Sequence, residues 1–169
     1  MEANQSASFT PLPVAGLIAG ALRARKQRIA VVEATTAGLI SAQLVSQPGA
    51  SSFFISNMVV YTGRGAKLLL TSSNVLAASG LFDRENNYRH RDAYVESKRV
   101  FCDQVARAIK VQAKADWVIV ESGTSGPDFF VPGVRLAERL GSGAHAAYAL
   151  NRSRAGSRPW AWPARAATT

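Results

Sequence analysis

Apolar residues recur at helical or strand spacing along most of this chain. Between Pro13 and Arg25 they repeat every three or four positions, which predicts an amphipathic helix. The β-branched run Ile29–Glu33 follows and predicts a buried strand. Thr35 or Thr36 is then placed to cap a second helix over residues 37–45. The first third of the chain therefore predicts a helix-strand-helix unit.

The rest of the chain continues to alternate strands and helices. In chain order, the predicted elements are a strand over 53–61, helices over 66–70, 72–78 and 92–114, and strands over 117–121 and 143–150. Gly63 and Gly65 interrupt the chain after the first of these strands, and residues 81–91 are polar and predict a loop. In the long helix, Asp103 and Arg107 are spaced to form an ion pair.

This order of elements predicts one α/β domain, a three-layer α/β sandwich. We expect the domain to cover residues 13–150, after an extension over residues 1–12 and before a basic tail over residues 151–169. The 169 residues suit a single domain, and a 47% apolar content excludes global disorder. The single cysteine, Cys102, excludes a disulfide scaffold and is predicted to pack in the core.

No apolar run is long enough to predict a membrane span. The N-terminus has neither the charge order of a secretory signal nor the arginines of a transit peptide, so the sequence gives little evidence for a targeting segment. A basic chain without disulfides is typical of a reducing compartment. We therefore expect an intracellular protein of a mitochondrial or other organellar matrix.

The charge balance points to an anionic partner. The chain carries 20 Lys and Arg against 11 Asp and Glu, a net charge of +9. Beyond Asn151 the tail has no acid, and prolines flank its two tryptophans. The residues predicted to bind a partner are Arg152, Arg154, Arg158, Trp160 and Trp162. We expect that partner to be another protein subunit, since tryptophan is enriched in interfaces. Nucleic acid and an anionic lipid surface are the weaker alternatives.

Two predicted strands end in small hydroxyl residues and glycines. These segments are residues 32–38 and 120–127. Ligands of open α/β sheets bind at the carboxyl ends of strands, so either segment is a candidate site. The structural alternative is a pair of well-capped turns. Neither histidine has partners at metal-ligand spacing, so we expect no metal site and no cofactor.

Residues 33–38 read Glu-Ala-Thr-Thr-Ala-Gly and are similar to the motif Glu-Ser-Cys-Thr-Gly-Gly. That motif is typical of the nicotinamide-nucleotide amidohydrolases, the family of the CinA C-terminal domain, which the chain resembles over residues 14–150. Three further segments match in order. They are Pro48-Gly49-Ala50-Ser51-Ser52, Val59-Val60-Tyr61 with Lys67 after it, and the turn over residues 122–127. The resemblance implies the α/β sandwich of that family.

The resemblance also implies a chemistry, hydrolysis of the amide of nicotinamide mononucleotide with release of ammonia. The nucleophile that the resemblance implies is the family's serine, which corresponds to position 34 of this chain. It would be assisted by Tyr61, Lys67 and a hydroxyl of the 122–127 turn. We expect the implied site residues to converge on one cleft. They are Glu33, Ala34, Thr35, Thr36, Tyr61, Lys67, Ser122 and Thr124.

Three departures from the family pattern predict loss of that activity. Ala34 replaces the serine, Ala37 replaces a motif glycine, and Lys67 is one residue further from Tyr61 than in the family. Because covalent catalysis needs a nucleophile, we expect a catalytically inactive protein that serves as a structural or accessory subunit of a larger assembly. The alternative is an active amidohydrolase with a threonine nucleophile, Thr35 or Thr36.

Overall fold

The computed structural model describes residues 9–70, 91–123 and 146–151. In this part of the chain, the elements are α1 (Pro13–Ala24), β1 (Ile29–Glu33), α2 (Leu39–Val45), a 3-10 turn (Ala50–Ser52), β2 (Phe54–Val59), α3 (Gly63–Leu69), α4 (Arg91–Ala113), β3 (Trp117–Ser122) and β4 (Ala146–Asn151). Parts of the predictions lie outside the described residues. These are the helix over 72–78, the loop over 81–90, the first residues of both the extension and the fourth strand, and the tail beyond Asn151.

The strands form one sheet in the order β2-β1-β3-β4. β1 runs parallel to both β2 and β3, whereas β4 is antiparallel to β3. Val32 of β1 is in register with Met58 of β2 and with Val120 of β3. The carboxyl ends of these three strands therefore meet at one edge of the sheet.

Side chains alternate across β1 and build a separate core on each face of the sheet. Ile29 and Val31 pack with α1 and α2, and Ala30 and Val32 pack with α3 and α4. The first core consists of Ala19, Leu22, Ile29, Val31, Leu44 and Phe53. The second includes Val118 and Val120 of β3 and Phe101, Cys102, Val105, Ala106 and Ile109 of α4. The predicted three-layer sandwich is therefore confirmed, and Cys102 lies in its core.

Several element boundaries agree closely with the sequence prediction. β1 spans the predicted residues, and α4 begins and ends one residue before its predicted bounds. The predicted ion pair forms, with 3.0 Å between Nε of Arg107 and Oδ2 of Asp103. Within the described residues, no helix is both long and apolar enough to cross a bilayer.

Two boundary predictions near the end of β2 are wrong. The strand ends at Val59 and not at Tyr61, and α3 begins at Gly63. Gly63 and Gly65 therefore lie inside a helix and do not interrupt the chain. The cause is a local cap, because Oγ1 of Thr62 accepts the Gly65 N–H at 3.0 Å and starts the helix early.

The predicted start of α2 is also wrong. The helix begins at Leu39 instead of residue 37, and neither threonine caps it. Ala37 and Gly38 both take positive φ angles, +52° and +100°, so the chain turns there before it becomes helical. The helix N-terminus is instead satisfied by the carboxylate of Glu33.

Candidate functional site

The carboxylate of Glu33 organises the turn that follows β1. Glu33 is the last residue of that strand, and its side chain is fully buried. It accepts hydrogen bonds from Thr36 Oγ1 (2.7 Å), Gly38 N (3.0 Å), Ile40 N (3.0 Å), Ser41 N (3.0 Å) and Ser41 Oγ (2.6 Å). Three of these donors are backbone N–H groups at the start of α2, where a negative charge is favoured. The buried carboxylate is therefore compensated by the helix that it caps.

A second buried carboxylate, Glu121 of β3, holds the residues between Glu33 and the helix. Its Oε2 accepts the backbone N–H of Ala34 at 3.1 Å and that of Thr36 at 3.0 Å. It also accepts both threonine hydroxyls, Thr35 at Oε1 and Thr36 at Oε2, the latter at 2.9 Å. Since Val32 and Val120 are in register, Glu33 and Glu121 are the next residues of adjacent parallel strands. The loop of residues 34–36 is therefore fixed by both strands.

Both carboxylates have a pKa below the ordinary glutamate range. Burial acts to raise each pKa, and the hydrogen bonds outweigh that effect. For Glu33 the strongest donors are the hydroxyls of Ser41 and Thr36, and for Glu121 they are the groups of Thr35 and Thr36. Both groups are therefore ionised at neutral pH, and both are weak bases.

The two threonine hydroxyls are occupied by these carboxylates. Oγ1 of Thr36 lies 2.7 Å from Oε2 of Glu33 and 2.9 Å from Oε2 of Glu121, and it has one proton to share between them. The hydroxyl of Thr35 donates to Glu121. Ala34, beside them, is buried and carries only a methyl group. The loop therefore holds two hydroxyls whose protons are already committed.

A third charged group, Lys98 of α4, approaches the end of β3. Its Nζ donates to Oγ of the buried Ser122 at 3.0 Å. Burial lowers the pKa of Lys98, and the negative charge of Glu121 partly offsets that shift. Burial also raises the pKa of the Cys102 thiol to about 12, against a smaller opposing effect of Lys98. The Lys98 ammonium and the Ser122 hydroxyl thus form a hydrogen-bonded pair next to the Glu121 carboxylate.

The comparisons with known proteins agree with this fold. The family model described as the CinA C-terminal domain matches residues 12–134. The chain belongs to that family. Two CinA-like proteins illustrate the likeness: one from Prochlorococcus marinus (strain MIT 9301) is 34% identical over 108 residues, and one from Thermotoga neapolitana is 31% identical over 111 residues.

The chain corresponds to a small part of those CinA-like proteins. The alignments cover 63% and 66% of this chain but only 22% and 24% of the two relatives. Among solved structures, the competence/damage inducible protein CihA from Agrobacterium tumefaciens aligns with a TM-score of 0.61 at 19% identity, over 86% of this chain and 78% of that chain. The competence damage-inducible protein A from Klebsiella pneumoniae aligns with a TM-score of 0.54 at 20% identity, over 83% and 81%. These structures support the CinA C-terminal fold.

The structure brings part of the expected CinA site together. Ala34, Thr35 and Thr36 bind the Glu121 carboxylate, Glu33 is linked to it through the Thr36 hydroxyl, and Ser122 follows Glu121 on the same strand. Tyr61 lies just beyond β2, and its side chain is exposed. Lys67 lies in the last turn of α3 and is also exposed. Thr124 and the tail residues Arg152, Arg154, Arg158, Trp160 and Trp162 lie outside the described part of the chain.

Sequence reasoning missed the roles of Glu121, Ser41 and Lys98. Two sequence signals point to the glutamate and the lysine. Glu121 follows an apolar β-branched run in the same way that Glu33 does, and Lys98 lies four residues before Cys102 on the core side of α4. Among the described residues, no group of His, Cys, Asp and Glu is arranged to hold a metal ion.

Proposed function

We propose that this member of the CinA C-terminal domain family is catalytically inactive as a nicotinamide-nucleotide amidohydrolase and serves as a structural or accessory subunit of a larger assembly. The observation that carries the proposal is Ala34, which occupies the family's serine position and is fixed there by the bond from its N–H to Glu121. Loss of a serine nucleophile typically lowers the rate by about 10⁶-fold.

The neighbouring threonines are poor substitutes for that serine. A hydroxyl becomes a nucleophile when a nearby base takes its proton, and the base works best with a pKa near the working pH. The hydrogen bonds on Glu121 lower its pKa, so it is a weak base for the Thr35 proton. The Thr36 proton is shared between two such carboxylates. This arrangement supports a structural role for both hydroxyls.

One contact favours the alternative, an active amidohydrolase with a threonine nucleophile. The Thr35 hydroxyl meets the Glu121 carboxylate directly, and Thr35 is only partly buried. Ammonia release from nicotinamide mononucleotide separates the two functions when the native chain and Thr35→Ala are compared. We expect no release from either protein. Release by the native chain that disappears in Thr35→Ala would establish the alternative.

The subunit role depends on the basic tail. Our proposal is that Trp160 and Trp162 enter pockets of another protein while Arg152, Arg154 and Arg158 meet acidic groups at the rim, in an organellar matrix. The test is truncation after Asn151, followed by size-exclusion chromatography of native extract. We expect the full chain to elute within a larger complex and the truncated chain to elute alone. If both elute at the monomer position, the subunit proposal is wrong.

A further inference from the structure

Every exposed charged side chain within the described residues 9–70 is basic. Between positions 3 and 82 there is one acidic residue, Glu33, and its side chain is fully buried. Within residues 9–70 the exposed charged side chains are Arg23, Arg25, Lys26, Arg28, Arg64 and Lys67. One acid from another element, Asp116, comes close, and its carboxylate accepts the backbone N–H of Arg28. This half of the domain is therefore suited to an anionic partner.

The outer side of the α1–α2 layer is apolar. Five large apolar side chains are exposed there, and we call them the α1–α2 surface: Leu12, Val14, Leu17, Leu39 and Val45. α1 has no charged residue before Arg23, and α2 has none at all. A helix that covers a core normally turns charged residues to water, so an apolar outer side indicates a binding surface.

The two helices cover the same face of the sheet, so their outer sides lie on the same side of the molecule. Both pack on one face of the sheet, through the core that contains Ala19, Leu22 and Leu44. They are also tied to each other, since the Leu12 N–H donates to Oε1 of Gln43 at 2.5 Å. Four exposed basic residues lie at the C-terminal end of α1 or just beyond it: Arg23, Arg25, Lys26 and Arg28.

We propose that the α1–α2 surface binds an anionic lipid bilayer. The exposed leucines and valines enter the interfacial region, and the basic residues at the end of α1 meet the headgroups. Nucleic acid fits less well, because phosphates use the basic residues and leave five apolar side chains in water. A second copy of this chain fits less well, because the basic residues at the end of α1 in the two copies would repel each other across the contact. This inference goes beyond the proposed function and does not depend on catalytic inactivity.

Vesicle flotation with the full chain tests the proposal. The probes are phosphatidylcholine vesicles with about 30% phosphatidylglycerol and vesicles of phosphatidylcholine alone. We expect the chain to float with the anionic vesicles and to release them at high salt. Leu17→Glu and Arg25→Glu should each weaken binding by at least about tenfold, because they remove an apolar contact and reverse a charge at the surface.

Matched controls lie on the other helical layer. Val111 of α4 is 77% exposed, close to the 73% of Leu17, so Val111→Glu places the same charge at an equally open position. Lys114 is exposed and lies just beyond the end of α4, in the same way that Arg25 is exposed and lies just beyond the end of α1. Lys114→Glu therefore reverses a charge at a comparable position. Both control variants should bind as the native chain does. Thermal unfolding verifies that all four variants are folded.

Four results would overturn the proposal. They are failure to float with anionic vesicles, flotation that Leu17→Glu leaves unchanged, equal losses in the control variants, and a dimer that Leu17→Glu dissociates without any vesicle binding. The second result would assign membrane binding to another part of the chain, such as the tail. The last would assign the α1–α2 surface to a second copy. The first result, together with binding of duplex DNA that Arg25→Glu abolishes and Leu17→Glu does not, would assign it to nucleic acid.

Discussion

The backbone nitrogen of Ala34 lies 3.1 Å from Oε2 of Glu121, across a sequence separation of 87 residues. This bond joins the loop after β1 to the end of β3, so the backbone at position 34 is held by the neighbouring strand. Glu33 anchors the other end of the same loop through the first N–H groups of α2. The two buried carboxylates together make the loop a rigid part of the sheet edge.

The first prediction concerns these carboxylates. Glu33→Gln should lower the free energy of unfolding by about 2–4 kcal/mol, because an amide has one acceptor oxygen and its NH₂ group faces other donors. Glu96→Gln is the matched control. Glu96 is exposed and pairs with Arg99 on the surface of α4, so its loss should cost under about 1 kcal/mol. Urea unfolding measures the free energy of unfolding of both variants, and equal losses would contradict a stabilising role of the buried Glu33 carboxylate.

The second prediction concerns pH. Because the folded-state pKa of Glu33 and of Glu121 is lowered, both groups stabilise the fold above the unfolded glutamate pKa of about 4.3. Their contribution is lost as the pH falls through the lower folded-state values. Stability should therefore decline from about pH 5 downward, and less steeply in Glu121→Gln. Parallel pH profiles of the free energy of unfolding in the two proteins would show that Glu121 carries no such contribution.

The third prediction concerns Ala37, which has a φ of +52°. A side chain in this left-handed region costs about 1 kcal/mol or more, so Ala37→Gly should stabilise the protein by about 0.5 kcal/mol after the entropy cost of glycine. Ala42→Gly, at an exposed position inside α2, should instead destabilise it by about 1 kcal/mol. Thermal unfolding should therefore show a higher melting temperature for Ala37→Gly and a lower one for Ala42→Gly than for the native chain. A destabilised Ala37→Gly would contradict the strain at this residue.

The fourth prediction concerns the single thiol. Cys102 is fully buried and its pKa is raised to about 12, so almost no thiolate forms at ordinary pH. At about pH 8 the native chain should react with a thiol reagent only at the rate of unfolding, and the urea-denatured chain should react at once. Rapid labelling of the folded protein would show that the core around Cys102 opens readily.

The sequence predicts the layers better than it predicts the site. β1 is predicted in full because Ile29–Glu33 combines β-branched residues with a clear boundary on each side. The start of α2 is mispredicted because its cap is a carboxylate five to eight residues earlier, and not an adjacent hydroxyl. The role of Glu121 depends on the β1–β3 register, which local pattern does not contain. Convergence of Tyr61, Lys67 and Thr124 on the same cleft stays a prediction.

Ammonia release from nicotinamide mononucleotide tests the central claim most directly. The native chain and Ala34→Ser are assayed beside an active amidohydrolase. We predict that neither protein exceeds the enzyme-free blank, because Ala37 and the displaced Lys67 remain altered after the serine is restored. Turnover by Ala34→Ser alone would show that only the nucleophile was lost. Turnover by the native chain within about 100-fold of an ordinary rate near 10 s⁻¹ would contradict the account.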